Sequence, residues 1–164
     1  MTPFTPTAAP DFLALTYRPD LHLLFSRWQR PVSCAEFRQG YRATLALALA
    51  VGCPYWQVDL RGRNAPETET QKWLTSKFLP RLADKLGTPV YLGYLLSPQL
   101  LHQLAPTEGT LNGAALPPTT APTADRHRVA FFAEEGPLTA WLGQCQHRSQ
   151  AELAPAGFRP PRAA

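Results

Sequence analysis

The chain has 164 residues, 45% of them hydrophobic and 17% charged, which is the length and composition of one globular domain with tails. A net charge of +4 and a pI near 9.2 raise the question of nucleic acid, but the bases read as scattered, without the clustered basic face and interleaved aromatics of a nucleic-acid reader. No nucleic-acid partner is expected, and no apolar run approaches the roughly 20 residues that cross a bilayer.

Residues 1–10, rich in Pro, Thr and Ala, read as a flexible arm. A single α/β domain is expected over 11–148. It begins with two strands, residues 12–17 and 21–28, joined by Arg18-Pro19-Asp20, where proline presets a turn dihedral and Asp20 bonds its own backbone. Ser33-Cys34-Ala35-Glu36 is a capping box. The helix it opens is predicted to run to Val51 and stop at Gly52, with Phe37, Tyr41, Leu45 and Leu49 on its buried face and Ala48 and Val51 beside them.

Residues 55–60 then read as a buried strand, and a second helix is expected from Pro66, with Leu74, Phe78 and Leu82 inward. Pro80 predicts a kink or break near Leu79. Residues 90–96 are nearly all apolar, the mark of a strand covered on both faces. A short helix from Pro98, a Pro/Thr-rich flexible insertion over 105–127 and a last strand over 129–132 follow. A helix opening at Gly136-Pro137 turns Leu138, Trp141, Leu142 and Cys145 inward, and residues 149–164 form a Pro-rich tail. The order predicts an α/β fold: a mixed, mostly parallel sheet with an N-terminal β-hairpin, flanked by helices.

Chemistry concentrates at the end of the third strand. Asp59, Arg61, Arg63 and Asn64 lie at a strand-to-helix corner, where open α/β sheets place ligands. Two guanidinium groups beside a helix start can hold a phosphate or carboxylate. The competing reading pairs Asp59 with Arg61, leaves Arg63 solvated and has Asn64 close a turn. Trp73 is a candidate for covering exposed apolar surface in a dimer. Cys34 starts a helix, where the dipole favours a thiolate, but no basic partner accompanies it. Neither the histidines nor the cysteines show metal-ligand spacing, and no Gly-rich phosphate loop occurs, so no metal or cofactor is expected. Three cysteines, an odd number, and a start without a secretory layout point to a reducing, cytoplasmic setting.

The strand from Leu21 through Trp28, with Glu36-Phe37-Arg38, Val58-Asp59-Leu60-Arg61, Gln71-Lys72-Trp73-Leu74, Leu79-Pro80 and Ala140-Trp141-Leu142, resembles uncharacterised bacterial members of the STAS superfamily, the sulfate transporter and anti-sigma-factor-antagonist domain. The resemblance spans most of residues 12–143. It implies a non-enzymatic regulatory module that binds a partner protein, itself as a homodimer, or a small ligand. Regulatory members carry a phosphorylatable Ser or Thr just after the strand-ending Asp. Leu60 and Arg61 stand there in this chain, so that switch is not carried over. Two functions stay open: a binding module using residues 59–64 and Trp73, and a small anion-ligand protein or enzyme with Arg61 and Arg63 as clamps and Asp59 as base.

Overall fold

A computed structural model describes residues 9–64, 66–104 and 127–153. Five strands, β1 (Leu13–Arg18), β2 (Leu23–Trp28), β3 (Tyr55–Asp59), β4 (Val90–Leu95) and β5 (His127–Phe132), form one sheet in sequential order. β1 and β2 are antiparallel, and β2 through β5 run parallel. The expected hairpin and mixed sheet are therefore present. β5 begins two residues earlier than the pattern of its apolar positions indicates.

Among the described residues there are five α-helices, α1 (Cys34–Val51), α2 (Thr68–Trp73), α3 (Leu79–Leu86), α4 (Pro98–Leu104) and α5 (Glu135–Leu153), of which α1, α3 and α5 pack on the sheet. Strand alternation separates two faces. Tyr94 of β4 meets Tyr41 of α1, hydroxyl to hydroxyl at 3.0 Å, whereas a side chain at neighbouring Gly93 would press on Leu138 of α5. Trp56 and Val58 thus belong to the α1 side, and Gln57 and Asp59 to the α5 side. Both central strands are buried along their whole length, β4 as its near-continuous apolar run requires and β3 with Gln57 and Asp59 buried among apolar residues.

The capping box at α1 is complete: the Ser33 hydroxyl accepts the Glu36 amide, and the Glu36 carboxylate accepts the Ser33 amide. Gly52 ends the helix at φ 65, a left-handed conformation that costs glycine little. Arg30 is the main reason the Glu36 carboxyl is held down to about 2, with the Ser33 amide adding to it. Because the folded value lies below the ordinary one, this contribution is complete above the ordinary carboxylate range and is lost as pH falls through about 2. NMR titration is expected to place the Glu36 midpoint near 2. Glu36→Gln is expected to flatten the acid limb of the stability curve. A Glu36 midpoint at the ordinary value would contradict the Arg30 pair first and the Ser33 contact with it.

Leu49 is not on the buried face and remains 49% exposed. Each four-residue step overshoots a helical turn by about 40°, so three steps from Phe37 carry Leu49 roughly 120° away. Ala48, beside the expected stripe, is buried, and Thr44 and Leu47 are buried with it. Pro66 also lies outside its helix, with Glu67 as the N-cap of α2. The break expected near Leu79 takes the form of a π turn, residues Leu74–Phe78, in which the Leu79 amide reaches back to the Leu74 carbonyl. This wider turn makes room for the Pro80 ring, which has no amide to donate. Leu74, Phe78 and Leu82 are buried as expected.

At the ends, Ala9 packs against the core, and α5 continues to Leu153, past the expected start of the tail. The rest of the arm, the insertion through residue 126 and the tail from residue 154 lie outside the described residues. Among the described residues, no helix is long and apolar enough to cross a membrane.

Candidate functional site

The loop after β3 does not converge on one site; it distributes its polar residues over three places. Asp59, the last residue of β3, points to the α5 side with its carboxylate only 10% exposed. Its Oδ1 accepts the Arg61 amide at 3.1 Å and Arg61 Nε at 3.0 Å. Oδ2 takes Arg61 Nη2 at 2.8 Å and Arg27 Nε, from β2, at 3.2 Å. Burial alone raises the Asp59 pKa, but the Arg61 hydrogen bonds and the two cationic charges outweigh it and hold the carboxyl below its ordinary range. A carboxylate so saturated is ionised and a poor proton acceptor. The pairing of Asp59 with Arg61 is thus structural in geometry, and Arg27 joins it as a member that the loop sequence alone does not reveal.

Asn64 closes the loop onto the start of α1: its Oδ1 accepts the Val32 amide at 3.0 Å, and its Nδ2 donates to the Val32 carbonyl at 3.5 Å. Arg63 between them departs from the expected solvated side chain. It is only 7% exposed. Its guanidinium lies 4.9 Å from the Trp28 ring centre and 4.6 Å from that of Phe37. These rings reach it from β2 and α1. Nε and Nη1 of Arg63 are buried and donate to no acceptor among the described residues.

Arg63 lines a cavity of about 50 Å³ together with Ser33, Cys34, Asn64, Glu67 and Thr70. The exposed Cys34 thiol donates to the Glu67 carboxylate at 3.4 Å and accepts the Thr70 hydroxyl at 3.1 Å. Its neighbour is therefore an acid, the opposite of what activates a nucleophilic thiol. Burial pushes the Cys53 and Cys145 thiols up to about 11, which keeps both protonated in the core.

Trp73 closes α2 on the other side of the sheet from Asp59. Half-buried, it lies at the edge of a groove of about 260 Å³ between α1 and the π turn with α3. Arg38 and Arg42 of α1 stand over its ring at 5.3 and 5.8 Å. Arg42, Lys77, Arg81 and Lys85 line the groove around Leu45, Trp73 and Phe78, with no carboxylate in the lining among the described residues. The bases that look scattered in sequence gather here. The available signal was the four-residue spacing of Lys77, Arg81 and Lys85, which lines up one helix face. Arg42 joins them only because α1 packs beside α3.

Set against family models, curated proteins and solved structures, the chain matches none.

Proposed function

We propose that the chain is a non-enzymatic, STAS-like regulatory module that binds an acidic segment of a protein partner in the Trp73 groove. One observation carries this reading: four cations surround an apolar floor, with no acidic residue in the lining among the described residues. Clustered like charges repel one another, and an anionic partner relieves that repulsion while steering its own approach. Trp73, with two guanidinium groups over its ring, supplies the flat aromatic contact typical of binding hot spots.

The geometry favours an extended peptide. Side chains at i and i+4 of an α-helix are separated by a rise of about 6 Å. Alternate residues of an extended strand repeat at roughly 6.6–6.8 Å on one face. Arg81 and Lys85 of α3 therefore match acidic side chains two residues apart, with Lys77 on the preceding π turn. The exposed Cys34 thiol fits a reducing, cytoplasmic setting. Against the enzyme alternative stands the weakness of Asp59 as a base, its carboxylate oxygens being occupied by Arg61 and Arg27 and its pKa lowered.

The test is capture of partners from the native cell by wild type, by Arg42→Glu/Arg81→Glu and by Arg61→Glu. The reading requires a partner lost in the first variant and kept in the second. Loss in Arg61→Glu alone would move recognition to the Asp59 corner, and sedimentation of the purified chain as a salt-sensitive dimer would replace the foreign partner with a second copy.

A further inference from the structure

Arg63 presents an electrostatic problem that the groove does not solve. A guanidinium more than nine-tenths buried, with two nitrogens lacking acceptors, carries a large desolvation cost. The Trp28 and Phe37 faces offset part of that cost. No carboxylate pairs with Arg63 among the described residues. Glu67 lines the same cavity, but its contact is with the Cys34 thiol, which donates to one of its two carboxylate oxygens, and not with Arg63.

The start of α1 borders that cavity through Ser33 and Cys34. Within the 18-residue helix, Ser33 satisfies the Glu36 amide through its hydroxyl and the Phe37 amide through its carbonyl. The amides of Cys34, which lines the cavity, and of its neighbour Ala35 are first-turn donors with no intrahelical acceptor. A buried cation without a partner and the positive end of a long helix thus meet at one small cavity that already holds hydroxyl and amide side chains.

We propose that this cavity binds a phosphate group, either as the free ion or as the phosphate of a small monoester, with Arg63 and the first-turn amides of α1 as its donors. The volume of about 50 Å³ suits the anionic group itself rather than a larger body. Glu67 sets the affinity from the opposing side, since its negative charge repels the ligand. The site is separate from the partner groove, so Arg42→Glu/Arg81→Glu is expected to leave it intact.

The experiment is a titration of the full ¹⁵N-labelled chain with inorganic phosphate and, in a second arm, with glycerol 3-phosphate, at matched ionic strength in chloride. Saturable shifts at the Cys34 and Ala35 amides are expected in at least one arm, and the arm that binds more tightly identifies the source. Glu67→Gln removes one like charge at an exposed position and should tighten binding about two- to fivefold. Arg63→Met keeps a side chain between the rings and should abolish the response. Absence of saturable first-turn shifts in wild type with both probes overturns the proposal, as does an unchanged Kd in a folded Arg63→Met. If that variant does not fold, the Glu67→Gln comparison decides: weaker or equal phosphate binding rejects the assignment.

Discussion

Replacing Trp28 by alanine is expected to cost about 3–5 kcal/mol, the range for removing a large buried aromatic. The indole is 1% exposed and lies within 6 Å, centre to centre, of Phe12, Phe37 and Tyr41. Gly40 of α1 is in such close contact that a Cβ there would overlap the indole ring. The Trp28 Nε1 has no acceptor among the described residues. Truncation therefore removes no hydrogen bond, and the loss is one of packing. It also strips one aromatic face from the Arg63 guanidinium, worth roughly 0.5–2 kcal/mol more.

Against a total stability of roughly 5–15 kcal/mol for a domain, that loss brings the variant close to unfolding. Urea unfolding should show a lower midpoint at unchanged slope, and Tm should fall by roughly 6–20 °C. Gly40→Ala attacks the same contact from the helix side. Overpacking there is expected to cost about 1–3 kcal/mol. Because the two residues touch, the double variant should lose less than the sum of the singles. A Trp28→Ala loss below about 1 kcal/mol, the usual size of a tolerated substitution, would mean that the ring does not organise this end of the core.

The same cluster shows where sequence is readable and where it is not. Ser33 with Glu36, Gly52 and the apolar run at 90–96 each encode their structure within a few residues, through capping, a left-handed terminus and two-sided burial. These signals are local, and the element order follows from them. Leu49 fails because a four-residue repeat looks like a helix face in sequence yet rotates steadily off it in space.

The site is less legible because its determinants are distant in the chain. Asp59 and Arg61 are adjacent and their pairing can be read directly, but Arg27 reaches them only through the β2–β3 register, in which Arg27 stands beside Asp59. Whether Arg63 points to water or between rings depends on Trp28 and Phe37, which come from β2 and α1. Nothing in Arg61-Gly62-Arg63 distinguishes the two outcomes for its two arginines. Packing decides: Gly62 lets the loop run against the backbone of β2's end, where a Cβ would come within 2.8 Å of the Trp28 carbonyl, and Arg63 then faces the aromatic side.

Charge reversal in the groove should produce the largest functional effect. Arg42→Glu/Arg81→Glu changes the lining from four cations to two cations and two anions, so an acidic partner meets repulsion where it previously met attraction. Like-charge contacts in an interface cost several kcal/mol, and each 1.4 kcal/mol is tenfold in Kd. A loss of at least about 100-fold is therefore expected. Wild-type binding should weaken steeply with added salt, mostly through a slower association rate, since exposed charges act over a Debye length of about 10 Å at 0.1 M. Stability should change little, because both arginines sit on the groove's surface and neither carries an ion pair to an acid in the groove lining.

Trp73→Ala provides the complementary measurement. It removes the aromatic contact and leaves every charge in place, so it should raise the dissociation rate while preserving the salt dependence of association. Displacement of the acidic partner by single-stranded nucleic acid at equal charge would instead identify a general polyanion surface. If the double reversal binds the partner as tightly as wild type, the groove is a solvated basic face, and the working surface lies on the α5 side with Arg27 and Arg61.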